Sequence, residues 1–222
     1  MSIHFSVKNL IDLQEEVNKK IDDLKITNYH PNIIAVSKTF PMETIKPLIE
    51  YGHTHFGENK VQEAVEKWTN EKEKNPDICL HMIGKLQTNK VKFAVKLFDY
   101  IHSVDSIKLA KKIAEEQNKL NKKVKLFIQV NLNNEDQKSG ISIDSVNELL
   151  ERCIEHKLDV LGLMCLPPID KPPGAFFLML KRKNEELKLN SLSMGMSNDY
   201  LEAINYNSNF LRIGSKIFGP RG

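Results

Sequence analysis

Residues 33–39 read Ile33-Ile34-Ala35-Val36-Ser37-Lys38-Thr39. The opening four are apolar and mostly β-branched, which suits a strand buried on both faces, and the run ends abruptly in a hydroxyl and a lysine. Upstream, Leu10, Leu13, Val17, Ile21 and Leu24 recur at helical spacing, so a helix is expected over about 7–24. Downstream, a second helical pattern covers about 43–51. A doubly buried strand between two amphipathic helices is the mark of an α/β fold.

The same rhythm continues outward along the chain. Further strands are expected at Thr54 to Phe56, Leu80 to Ile83, Tyr100 to Ser103, Val124 to Asn131, Val160 to Met164, Ser191 to Met194 and Phe210 to Ile213. Helical patterns fall between them, near 59–74, 88–97, 106–119, 143–157, 175–187 and 198–205. Alternation of this kind forces parallel pairing through crossover helices. An open doubly wound sheet shares that alternation, but eight β/α units favour closure. The expectation is therefore a single-domain (β/α)8 TIM-type barrel over residues 1–222, with an extra N-terminal helix.

Composition narrows the classes of function. Hydrophobic residues make up 41% and charged residues 27% of the chain, ordinary for a globular protein, and no apolar run approaches the length of a membrane span. The net charge of +3 comes from lysines that alternate with glutamates along the helices, which reads as solvated faces rather than a nucleic-acid surface. The start, Met1-Ser2-Ile3-His4-Phe5-Ser6, has no basic flank and apolar core, so a cytosolic location is expected. Cys79, Cys153 and Cys165 are widely spaced and read as buried thiols. His53 and His55 have an H-x-H spacing without an evident third ligand, and a structural role without metal is expected.

In a parallel barrel the chemistry collects at the carboxyl ends of the strands, and those ends are polar here. The first strand runs into Ser37-Lys38-Thr39 and the second into Gly57-Glu58-Asn59. The third runs into Gly84-Lys85. After the seventh comes Ser193-Met194-Gly195-Met196-Ser197-Asn198-Asp199, and the eighth carries Arg212-Ile213-Gly214-Ser215. Backbone amides at the start of a helix suit a phosphate dianion, with Ser197 expected as an N-cap. Lys38 follows an apolar run that ends inside the barrel. Desolvation there disfavours the ammonium, and a neutral amine attacks aldehydes. A phosphate pocket beside an imine-forming lysine leaves two ligand classes open: pyridoxal phosphate, or a phosphorylated sugar cleaved by a Schiff-base aldolase.

Several segments, in order and at matching spacing over nearly the whole chain, resemble the pyridoxal phosphate homeostasis proteins. They are Ala35-Val36-Ser37-Lys38-Thr39, Phe56-Gly57-Glu58-Asn59 with Gln62-Glu63, Ile83 to Lys90, Lys138-Ser139-Gly140, Gly162-Leu163-Met164, Leu192 to Asp199, and Arg212 to Gly219. The resemblance implies a barrel like the N-terminal domain of alanine racemase, with pyridoxal 5′-phosphate held as a Schiff base on Lys38. It further implies that Ser197, Gly214 and Ser215 hold the phosphate and that Arg212 faces the pyridine nitrogen. Asn59 is expected to line the ring or to cap the following helix. Ser193 is expected to reach the phosphate or to face the core. Lys138 is implied in cofactor handling.

A guanidinium only donates, so Arg212 would leave the pyridine nitrogen unprotonated and the ring a poorer electron sink. Racemisation needs a second base besides the lysine. In alanine racemase this is a tyrosine of a C-terminal domain, and the present sequence stops at Pro220-Arg221-Gly222. The expectation is a monomeric cofactor carrier that meets apoenzymes transiently and shows no robust turnover. A weak racemase or another pyridoxal phosphate enzyme is the alternative.

Overall fold

The computed structural model describes residues 3–133 and 139–220. Nine strands occur among the described residues: β1 (Asn32–Val36), β2 (His55–Glu58), β3 (Cys79–Met82), β4 (Tyr100–Val104), β5 (Lys125–Asn131), β6 (Ile141–Ser142), β7 (Asp159–Cys165), β8 (Ser191–Met196) and β9 (Phe210–Ile213). Eight of them form a ring in the order β1-β2-β3-β4-β5-β7-β8-β9, and β9 pairs back onto β1. Every pairing is parallel. The two-residue β6 lies beside the end of β5. This is the (β/α)8 barrel expected from the alternation.

The crossovers are α2 (Met42–Glu50), α3 (Val61–Lys74), α4 (Val91–Leu97), α5 (Ile107–Leu120), α6 (Val146–Glu155), α7 (Gly174–Glu186) and α8 (Tyr200–Ile204). A short α9 (Ser215–Phe218) follows β9. Local signals set these boundaries. Ser106 caps α5 by accepting from the Leu109 amide, and Asn121 ends that helix in the left-handed conformation at φ 45°. The N-terminal helix α1 (Phe5–Asp23) buries Leu10, Leu13, Val17 and Ile21, and packs on α2, α8 and α9.

Strand alternation divides the core in two. Outward-facing Ile33, Ala35, Phe56 and Leu80 join the helices in one large apolar layer. Inward-facing Ile34, Tyr100, Phe127, Met164 and Phe210 fill the barrel itself. The filling is unusual in its polarity, because His81, His102, Ser193 and Arg212 are buried in the same interior. None of the helices among the described residues is long and apolar enough to cross a membrane.

Candidate functional site

Parity along each strand selects the side chains that reach the mouth. Ile34 fills the barrel, so Val36 and Lys38 continue on its inner face. By the same rule His55, Gly57 and Asn59 point inward from β2 and its end, and Phe210, Arg212 and Gly214 from β9. Val36, Lys38, Asn59, Ser197, Arg212, Gly214 and Ser215 accordingly line one cavity of about 420 Å3, closed on its other side by Ile83, Leu166, Ile169 and Met196. Six of the eight residues singled out in the sequence are therefore brought together. Lys138 lies outside the described residues.

Ser193 is the exception among the described residues. It is buried one layer below the cavity, where its Oγ accepts from Arg212 Nη1 at 2.6 Å and lies 2.8 Å from His102 Nδ1. Of the two expectations for Ser193, the geometry realises the core-facing one.

Lys38 stands on a braced turn. Thr39 has φ 69°, a conformation that β-branched residues rarely adopt. Its amide donates to Glu63 Oε1 at 2.7 Å. Glu63 is paired with Lys67, whose Nζ also donates to the Ser37 carbonyl and to Glu58 Oε1, each at 3.0 Å. Glu58 is fully buried and accepts in addition from Ser37 Oγ at 2.8 Å and Trp68 Nε1 at 2.9 Å. The outward-facing partners of β1 and β2 thus hold the backbone on both sides of Lys38.

Asn59 lies on the cavity wall with its Oδ1 buried and without a hydrogen-bond partner. A buried polar atom in that state is open to a partner from a ligand or a water, whichever way the amide oxygen and nitrogen are assigned. Gly84 permits the close approach that seats it. A Cβ at Gly84 would lie 2.3 Å from the Asn59 carbonyl oxygen and 2.7 Å from its Cα.

The turn after β8 differs from expectation. Ser197 is not a helix N-cap: α8 begins at Tyr200 with Asp199 in the cap position, and the Asp199 carboxylate turns back to accept from the Met196 amide at 2.5 Å. That bond, with Gly195 at φ 92°, closes a separate turn before the helix. Ser197 Oγ instead accepts from the Gly214 amide at 3.3 Å, which joins the two loops that follow β8 and β9.

Arg212 donates its other terminal nitrogen to the Cys165 carbonyl at 2.8 Å. Burial draws the guanidinium below its ordinary value, while Cys165 and Asp199 act in the opposite sense. It nonetheless stays a pure donor at neutral pH. Burial pushes the Cys153 and Cys165 thiols up to about 12, so neither is a reactive thiolate.

The sequence pattern alone gave no role to His81 or His102. His55 Nδ1 lies 2.9 Å from His81 Nε2, and His81 Nδ1 lies 2.9 Å from His102 Nε2. Of the H-x-H pair, His55 joins the row, whereas His53 leaves it and bonds the His55 carbonyl. The usable signal was parity, since His55, His81 and His102 all occupy inward positions of successive strands.

The family model of the alanine racemase N-terminal domain matches residues 19–222, almost the whole of this parallel barrel. Alanine racemase of Clostridium difficile 630 superposes with a TM-score of 0.70 at 16% identity, over 93% of this chain and 56% of that one, a likeness of fold alone. The pyridoxal phosphate homeostasis protein of Pasteurella multocida (strain Pm70) is 34% identical over 226 residues, covering 96% of this chain and 97% of its own. PipY of Synechococcus elongatus PCC7942, solved with PLP bound, is 33% identical, with a TM-score of 0.79 over 91% of this chain and all of that one. The chain belongs to the pyridoxal phosphate homeostasis protein family.

Proposed function

We propose that this protein holds pyridoxal 5′-phosphate at the barrel mouth as an imine on Lys38, and serves intracellular homeostasis of the cofactor by storing it, delivering it to apoenzymes and shielding the cell from its free aldehyde. The observation that carries this reading is the single cavity shared by Lys38, Arg212 and the Ser197–Gly214–Ser215 loops.

The wall fits the group. Asn59 offers a buried side-chain oxygen without a partner, Arg212 a buried donor for a ring nitrogen, and the Gly214–Ser215 segment a backbone approach for phosphate. When bound, pyridoxal phosphate supplies an aldehyde that captures amines and a ring that withdraws electrons. The chain's own residues then bind and orient it. Lys38 presents its amine from the braced turn, Arg212 donates rather than protonates, and Leu166 and Ile169 close the apolar side.

Among the described residues of the cavity wall, Lys38 is the one side chain able to act as a base, Arg212 being a fixed cation. The tyrosines sit elsewhere: Tyr100 is stacked on His81 inside the barrel, and Tyr200 bonds Glu16 of α1. This supports a carrier over a racemase. Transient contact with apoenzymes, a cytosolic location and a monomeric state belong to the same proposal.

The test records the visible spectrum of the protein with pyridoxal phosphate, reduces it with borohydride and maps the modified peptide by mass spectrometry, with Lys38→Ala as control. A reduced adduct on Lys38 that is absent in the variant is expected. Adducts scattered over surface lysines in both proteins would refute the site. Steady-state racemisation at roughly 1 per second or faster would replace the carrier with an enzyme.

A further inference from the structure

Between Arg212 and the amino-terminal end of the barrel, four hydrogen bonds follow one another without a gap. Arg212 Nη1 donates to Ser193 Oγ at 2.6 Å, and Ser193 Oγ lies 2.8 Å from His102 Nδ1. His102 Nε2 meets His81 Nδ1 at 2.9 Å, and His81 Nε2 meets His55 Nδ1 at 2.9 Å. His81, His102 and Ser193 are wholly enclosed, and His55 is half-buried at the lower rim. Five strands, β2, β3, β4, β8 and β9, each contribute one member, so the row is built by the barrel's register rather than by any local motif.

We propose that Ser193 and His102 are positioning residues for Arg212, and that with His81 and His55 they form a hydrogen-bonded column of fixed direction that keeps the guanidinium aimed as a donor at the cavity. The inference concerns how the site works and rests on pyridoxal phosphate being its ligand.

Direction follows from donor counting. A guanidinium cannot accept, so Ser193 Oγ receives the Arg212 proton and has its own proton to give. His102 Nδ1 is within reach and takes it as an acceptor. A neutral imidazole that accepts on one nitrogen carries its proton on the other, so His102 donates from Nε2 to His81 Nδ1. His81 in turn donates from Nε2 to His55 Nδ1, and the last proton lies on His55 Nε2. In the reverse order, Arg212 and His102 would both aim protons at Ser193 Oγ and leave the hydroxyl proton stranded. Burial, and for His102 the neighbouring Arg212 charge, keep the enclosed imidazoles neutral, as the counting requires.

Rigid ring contacts hold the members in line. His81 stacks on Tyr100 at 4.3 Å between centroids, and His102 on Phe127 at 4.5 Å, both tilted by only 15°. Arg212 has no comparable packing partner among these contacts; its head is located by Ser193 and the Cys165 carbonyl. Loss of Ser193 would leave one anchor and a buried cation free to swing.

Two measurements test this, the first without cofactor. Imidazole 15N spectra of the ligand-free protein should place the proton on Nε2 of both His81 and His102, with 15N–15N coupling across the His81–His102 bond. Arg212→Met should mix the tautomers while leaving the rings stacked. A parent protein with the proton on His102 Nδ1, or with no coupling, overturns the column. The second measurement compares pyridoxal phosphate affinity and the visible band. Ser193→Ala and His102→Leu should each bind roughly tenfold more weakly, the loss of about one hydrogen bond, with a shifted band. His102→Asn keeps an acceptor near the Nδ1 position and should stay within about threefold of the parent. Equal binding by parent, Ser193→Ala and His102→Leu, or equal weakening by His102→Asn and His102→Leu, overturns the positioning role. A parent that binds no pyridoxal phosphate would sink the ligand reading instead, while the ligand-free spectra still decide the column.

Discussion

At Gly84 the backbone after β3 passes so close to Asn59 that no side chain fits between them. The obstruction is backbone, not the tip of a flexible side chain: a Cβ would lie 2.3 Å from the Asn59 carbonyl oxygen. Gly84→Ala must therefore push the β2 and β3 ends apart, at a cost of about 1–3 kcal/mol by the scale of overpacked sites. A urea titration is expected to show that loss, and borohydride trapping on Lys38 should weaken with it because Asn59 is displaced from the wall. Unchanged stability would mean that the two strand ends are looser than this contact implies. Asn59 and Lys38 were both legible in the sequence, since parity at a strand end places them at the mouth. The contact with Gly84 was not, because it joins residues of different strands whose relative height depends on barrel closure.

The β1–β2–α3 unit carries a buried ion pair in support of the Lys38 turn. Lys67 and Glu58 have side-chain exposures of 10% and 0%, so water does little to replace either partner. Lys67→Met would strand the Glu58 carboxylate beside Ser37 and Trp68, and a loss of about 3–5 kcal/mol is expected in chemical denaturation. Adding Glu58→Gln should recover much of it, since the uncompensated charge is gone; a double variant as unstable as the single would show that Lys67 acts by packing. Element order and the eight barrel strands were readable from periodicity. The roles of Glu58 and Lys67 were not, because the pair needs the outward face of β2 to meet the inward face of α3. The Ser197 turn was misread for a related reason. A serine ahead of a helix suits an N-cap, but the Asp199–Met196 bond claims the intervening residues for a turn of their own.

Across the molecule, a barrel interior holding a row of imidazoles makes stability a function of pH. Burial holds His53 down to about 4, lowers His55, and lowers His81 and His102 well below the ordinary histidine value. The charges facing them do not reverse this: Asp99 opposes and Lys125 reinforces the effect at His55, Lys72 reinforces it at His81, and Arg212 reinforces it at His102. Below pH 6.5 the unfolded chain takes up protons on these residues and the folded protein does not, so the unfolded state binds more protons and stability falls as pH falls. Each neutral buried imidazole contributes stability that is complete above about pH 6.5 and lost through the window down to its folded value, at about 1.4 kcal/mol per pH unit. For His53 that window closes near pH 4. Urea unfolding between pH 7.5 and 5 should therefore show a steep decline on the acid side before most carboxylates titrate. Substituting His102 by Asn removes one titrating group and should flatten that slope by about one proton. A parent curve that is flat over this range would mean that the barrel interior accepts the protons, and the neutral column would have to be abandoned with it.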